Sequence, residues 1–206
     1  MKGLILDTSS DSPFCILTEN DKVMAISYHR EGKTSVTFIH SIKEILENNQ
    51  TSFNELGFIA IGKGPGSFSG TRVGVIIASS LSYGLKIPLI EFSSLSAYSI
   101  EHDGLFFCLA DAKSKGFYTL KGEKNGDSLL WQTLSIQKAE DLACCLTPLY
   151  CLNKQALSNK FLTTSSLFET TIDFARLSKE CFEKALVEKN KERSIPSIDI
   201  DYLRIS

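Results

Sequence analysis

Residues 62–72, "GKGPGSFSGTR", set four glycines and a proline between an apolar run and a long apolar stretch, and no other segment limits the possible folds as strongly. The pattern reads as strand, tight loop, helix. Such a junction gathers backbone N–H groups and the positive end of a helix dipole at one point, which suits a phosphate. The phosphate-loop pattern GxxxxGK followed by Ser or Thr is nevertheless absent, because Gly70 precedes Thr71 and Arg72. The dinucleotide pattern GxGxxG also fails, since Gly64, Gly66 and Gly70 are spaced GxGxxxG. The competing reading is structural: Gly64, Pro65, Gly66, Ser67 and Phe68 shape the start of the helix, and Ser67 or Ser69 caps it.

The helix behind this loop, Phe68 to Leu85, carries Val73, Val75, Ile76, Ile77, Ala78, Leu81 and Tyr83, and no acidic residue occurs between Glu55 and Glu91. A helix apolar on nearly all sides has to be covered on nearly all sides. Gly70, Gly74 and Ala78 form a thin seam along it, and each interior glycine costs about 1 kcal/mol relative to alanine, so a close approach must offset that. Two arrangements satisfy this. Either the seam packs on the protein's own sheet, or the sheet takes the Val73, Ile76 and Ile77 side and a second protein takes the seam.

Around this centre the elements follow in order. Leu4–Leu6, Phe14–Thr18 and Val23–Tyr28 read as an antiparallel meander with a turn at Glu19-Asn20-Asp21-Lys22. From an N-cap at Thr34, a helix sets Phe38, Ile39, Ile42, Ile45 and Leu46 on one stripe and ends at Asn48-Asn49. Phe58–Ile61 is a buried strand, and Pro88 stops the long helix and opens the strand Leu89–Phe92. Laying "LILDTSSDSPFCILTEN" over "CLADAKSKGFYTLKGEK" without gaps places Asp7 on Asp111, Phe14 on Tyr118 and Glu19 on Glu123, which is what either a duplication or chance would give. Strands at 106–110, 117–120, 128–136 and 149–152 are expected after it, with a turn at 121–126, helices at 137–145 and 172–188, and an extended tail "SIPSIDIDYLRIS".

Composition narrows the chemistry. A net charge of −2 with a pI near 6.0 argues against a domain that grips nucleic acid by itself. Six cysteines without a CxxC pair read as buried reduced thiols, and no apolar run approaches a signal sequence or a bilayer span, so the expected location is the cytoplasm. His29, His40 and His102 form no HxxxH or HxxH pair, so no metal site is expected, and His40 reads as a partly buried, hydrogen-bonded histidine. A GxSxG serine elbow is absent. One catalytic alternative stands: Asp7, Thr8 and Ser9 at a strand end, with Asp111 in the second half, could hold magnesium against a phosphate, as a phosphotransferase or nucleotide hydrolase would. The stretch after Gly126 has no glycine with which to build an adenosine pocket.

"GLILDTSSDSPFCIL", "HSIKEIL", "IAIGKGPGSFSGTRVGVIIASSLSYGLKIPLI", "SSLSAYS", "ADAKSKGFY" and the terminal "YLR" at Tyr202–Arg204 resemble, in this order, the bacterial TsaB (YeaZ) family. Ser69, Thr71 and Lys113 depart from its usual residues, and the second half is short. The resemblance implies an α/β actin-like fold of the ASKHA, ribonuclease H-like class, duplicated as two lobes that each have a mixed sheet flanked by helices, divided here at 1–100 and 101–206. It also implies a non-catalytic scaffold that binds the catalytic subunit TsaD, with TsaE docking on the pair, in making N6-threonylcarbamoyladenosine (t6A) at position 37 of tRNAs that read ANN codons. By that resemblance the chain alone binds no cofactor, ATP or ADP with magnesium belongs to the shared surface, tRNA is reached through the complex, and in isolation either a homodimer, with a second copy of the chain on the partner face, or a monomer stays open. The helices at 34–49 and 68–85 would then present Phe38, Ile39, Ile42, Leu46, Gly70, Val73, Gly74, Ile77, Ala78 and Leu81 to the partner.

Overall fold

The computed structural model describes residues 1–10, 12–29, 35–112, 116–158 and 166–189. Thr34, Lys113, the extended tail and the terminal "YLR" lie outside the described residues. The chain divides into two compact units, one holding residues 1–94 with the helix at 174–188, the other holding residues 95–173.

The first unit is built on the sheet β3-β2-β1-β4-β5. β1 (Lys2–Asp7), β2 (Phe14–Glu19) and β3 (Lys22–Tyr28) form the expected antiparallel meander, while β1, β4 (Leu56–Gly62) and β5 (Leu89–Phe92) run parallel. The central strands are continuous apolar runs because both of their faces are covered, whereas β3 at the edge alternates between exposed and half-buried residues. Asn20, at φ 55°, turns β2 into β3, a left-handed conformation that asparagine tolerates.

Leu4, Leu6, Cys15, Leu17, Ile59 and Ile61 point to one face, where α1 (Ser35–Asn48) lays Phe38, Ile42, Ile45 and Leu46 and α2 (Phe68–Leu85) lays Ile77 and Ala78. Each helix ends on a left-handed residue, Gln50 after α1 and Lys86 after α2. The alternate residues Phe14, Ile16 and Phe58 serve the opposite face, where Phe14 meets Phe174 edge-on at 5.3 Å. That face is covered by α5 (Phe174–Glu188), which buries Leu177, Ser178, Cys181 and Ala185 and packs with β1, β3, β4 and β5. The division at residue 100 read from the sequence therefore omits a return: the last described helix belongs with the first sheet.

The second unit repeats the plan. Its sheet runs β8-β7-β6-β9-β10, built from β6 (Gly104–Asp111), β7 (Gly116–Asn125), β8 (Ser128–Lys138), β9 (Leu149–Cys151) and β10 (Leu167–Glu169). Again three strands make an antiparallel meander, the first of them pairs in parallel with β9, and β9 in turn pairs in parallel with β10. The repeat is thus real at the level of topology, but the ungapped overlay slips within it. Asp7 pairs with Phe14 while Asp111 pairs with Phe117, so Phe117 and not Tyr118 is the counterpart of Phe14, and Gly122 and not Glu123 that of Glu19. Because strand side chains alternate with period two, this single residue decides which of the two aromatics is buried, and it is Phe117.

Three other expectations change here. The segment 121–126 is not a turn, since β7 lies between two partners and stays paired to Asn125, leaving Gly126 at φ 56° to reverse the chain. Gln137 and Lys138 extend β8 because they pair with Phe117 and Gly116, which shortens the next helix to α3 (Ala139–Ala143). Ile172 bridges to Tyr98, delaying α5 to Phe174. The sequence also gave no signal for α4 (Lys154–Ser158) or β10, each too short to show a period. No helix among the described residues is long and apolar enough to cross a membrane.

Candidate functional site

The glycine loop closes on the turn between β1 and β2. Ser67 donates its N–H to the Ser9 carbonyl at 2.6 Å, and Thr8 Oγ1 donates to the Gly70 carbonyl at 2.6 Å. A Cβ at Gly66 would collide with the Ser9 carbonyl, one at Gly70 with the Thr8 carbonyl, and one at Gly74 with Thr8 Oγ1. Gly66 and Gly70 let the loop and the first turn of α2 lie on the backbone of the β1–β2 turn, and Gly74 lets α2 lie against the Thr8 side chain. Ser67 Oγ accepts the Gly70 N–H at 3.3 Å, the capping bond anticipated from the sequence, and Thr71 Oγ1 donates to the Ser67 carbonyl at 2.9 Å. Gly64 is bound at both ends to Ser94, N–H to Ser94 Oγ at 3.1 Å and carbonyl from Ser94 N–H at 2.8 Å. The N–H groups of Gly64, Ser67, Gly70 and Thr71, which a phosphate cradle would aim outward, are bonded within the chain.

The same closure covers Asp7. Its side chain is 2% exposed, Oδ1 accepts the Ser9 N–H at 2.7 Å, and the Ser94 hydroxyl also bonds to it. Burial pushes its carboxyl above the ordinary 3.8, against the lowering effect of these hydrogen bonds. Thr8 and Ser9 are buried beside it, so the acid and its two hydroxyls meet the protein's own loop where the catalytic alternative would need an ion and a phosphate. Asp111 ends β6 in the second unit and is half-buried. No group of three or more His, Cys, Asp or Glu suited to a metal exists among the described residues. His40 is exposed and not partly buried, because it sits on the outer side of α1, while His29 Nδ1 lies 3.1 Å from Ser41 Oγ and stands edge-on to Phe38.

The two long helices also have outer faces. On α2, Phe68, Arg72 and Ile76 recur every fourth residue, with Tyr83 two turns further on, and Ile76 and Tyr83 remain 65% and 67% exposed. The Arg72 guanidinium lies 3.9 Å from the centre of the Phe68 ring. On α1, Val36 and Ile39 are exposed. A Cβ built at Gly84 meets nothing within 4 Å, in contrast to the inner glycines.

The interface residues read from the sequence separate accordingly. Phe38, Ile42, Leu46, Gly74, Ile77 and Ala78 are buried in the first unit's own core, Gly70, Val73 and Leu81 are half-buried, and Ile39 alone of the set stands out in solvent. The seam packs inward because only a bare backbone fits over Thr8, so a leucine at Gly74 would damage the fold itself and would not report on a partner. Val36, Ile76 and Tyr83, exposed on the outer faces, were not among the residues read as an interface. Their only signal was being the apolar residues left over once the seam is assigned to the interior.

Comparison with known proteins gives a consistent picture. Residues 31–158, more than half of the chain, match the family described as "TsaD: tRNA N6-adenosine threonylcarbamoyltransferase". A "tRNA threonylcarbamoyladenosine biosynthesis protein TsaB" of Buchnera aphidicola is 36% identical over 98 residues, 47% of this chain and 44% of that protein. The protein of that name from Bacillus subtilis is 34% identical over 132 residues, 61% of this chain and 57% of its own length. The matched stretch thus spans about half the length of these curated relatives. Among solved structures, "YeaZ from Pseudomonas aeruginosa" superposes with a TM-score of 0.72 over 91% of this chain and 93% of that one, at 17% identity. The fold is therefore the duplicated, actin-like ASKHA arrangement, two five-stranded mixed sheets with flanking helices.

Proposed function

The chain belongs to the TsaD family of tRNA N6-adenosine threonylcarbamoyltransferases, in which its relatives bear the name TsaB, and from that premise we propose that it is a non-catalytic subunit of the machinery that makes threonylcarbamoyladenosine at position 37 of tRNAs reading ANN codons. It acts by binding and ordering a catalytic TsaD-type subunit in the cytoplasm. TsaE docks on that pair, ATP or ADP with magnesium occupies the shared surface, and tRNA is held by the assembly, in keeping with a chain whose own net charge is −2.

One observation carries this reading: the outer faces of α1 and α2 hold Val36, Ile39, Phe68, Ile76 and Tyr83 in solvent, while the inner faces already complete the first unit's core. Large apolar side chains grouped on two adjacent helices favour burial by a second protein. In isolation a second copy of the chain would use the same faces. The buried state of Asp7 speaks against the phosphotransferase alternative, because its carboxyl is withdrawn from solvent and already bonded to Ser9 and Ser94.

The reading is tested by reconstituting the modification reaction with and without the chain and measuring t6A in tRNA. Loss of product on omission, with a stoichiometric complex between the chain and TsaD by light scattering, is the expected outcome. Undiminished product without the chain, or no complex at micromolar concentration, would overturn it.

A further inference from the structure

The six cysteines divide sharply. Cys15, Cys108, Cys151 and Cys181 are buried, and loss of hydration pushes the Cys15 and Cys181 thiols up to about 12 and that of Cys151 to about 11. Such thiols yield little thiolate at neutral pH. Cys144 and Cys145 are different: they are adjacent in the chain, the first exposed and the second half-buried. They occupy the turn that follows α3, with Cys144 at φ −90°, ψ 0° and the Cys145 N–H donating to the Leu142 carbonyl at 3.1 Å. Leu142 anchors this turn in the core, while Leu146, just beyond the pair, is 95% exposed. The backbone of this turn is pinned, and neither of its two cysteines is buried.

Adjacent residues place their Cα atoms about 3.8 Å apart, below the roughly 4.4–6.8 Å that disulfides span, so a direct sulfur–sulfur bond within the pair would force the backbone. An atom held between the sulfurs by two bonds of about 2.3 Å removes that demand. No third or fourth ligand is at hand to complete a zinc site, since no cluster of three or more His, Cys, Asp or Glu exists among the described residues. We propose that Cys144 and Cys145 form a dithiol clip for a soft, thiophilic centre offering two positions, its chemical type being a monosubstituted trivalent arsenical. As R–As=O reacts, two As–S bonds form and the As=O bond breaks, both thiol protons leave on the oxygen as water, and arsenic stays trivalent. The clip is independent of the role in tRNA modification.

The probe is phenylarsine oxide, added to the full chain and followed by native mass spectrometry. One adduct per chain is expected, retained in excess glutathione, which offers single thiols, and removed by dimercaptopropanol, which offers two. Either Cys144→Ser or Cys145→Ser should weaken retention about a hundredfold, because the second bond no longer forms within the molecule. Thiol titration of the unmodified sequence gives a reading free of any variant: the accessible pair should vanish when the adduct forms. Loss of the adduct to glutathione, or its full retention in both single variants, would overturn the proposal.

Discussion

The two units share one strand order and connectivity, yet they cover their sheets differently. In the first, helices of 14 and 18 residues lie over one face and a third of 15 residues over the other. In the second, the described residues of the corresponding connections carry helices of 5 residues each, and Leu142 and Leu157 supply the covering that whole turns supply in the first. The difference separates two jobs. A sheet needs few apolar side chains above it to be stable, but a long helix has a second side, and among the described residues of the two connections the first unit's helices have that side, which the proposed role assigns to another molecule.

That comparison can be broken at several points. Gly74→Leu should be the most damaging change, costing about 3 kcal/mol or more in urea unfolding, since its Cβ alone would overlap Thr8 Oγ1 and crowd Ile61; a variant of normal stability would mean that α2 is not seated on the β1–β2 turn. Ile42→Ala under α1 should cost about 3 kcal/mol, and Leu142→Ala on α3 about 2 kcal/mol, because a helix of 5 residues can sink into the space left while one of 14 residues cannot. Equal losses would remove the distinction drawn between long and short coverings.

Asp7→Asn acts on pH dependence more than on stability at a single pH. The unfolded carboxyl titrates near 3.8 and the folded one higher, so folding takes up a proton between the two values. Stability from this group is full below 3.8 and declines as pH rises through the folded value. The asparagine keeps an oxygen for the Ser9 N–H and removes the charge, and the decline should flatten. An unchanged slope in denaturant midpoints across acidic pH would show that Asp7 is not its source. The smallest change in folding belongs to the outer face, where Ile76→Glu should move stability by less than about 0.5 kcal/mol while weakening the complex with TsaD about tenfold or more. Intact binding would move the partner surface away from α2.

Much of the first unit was legible before the structure, and for a physical reason. Its central strands are buried on both faces and its helices are long, so runs such as Leu4–Leu6 and Phe58–Ile61 and the stripe through Phe38, Ile42 and Leu46 announce themselves. The second unit reads less well because pairing, not composition, decides its boundaries: Lys121–Asn125 looks like a turn and becomes strand only because neighbours flank it on both sides. The seam on α2 was visible from Gly70, Gly74 and Ala78, but its direction was not. Periodicity shows that two sides of a helix differ, and it takes Thr8, more than sixty residues away in sequence, to say which side turns in.

Gly84 stands on α2 with empty space where a side chain would be, far from the crowding that fixes Gly70 and Gly74. A fluorophore or photo-crosslinker attached at that position through an engineered thiol would ride on the helix like a flag on a mast, leaving the packed side undisturbed. Docking of a second protein could then be watched as a change of colour or captured as a covalent trace, and the neighbour identified without knowing in advance what it is.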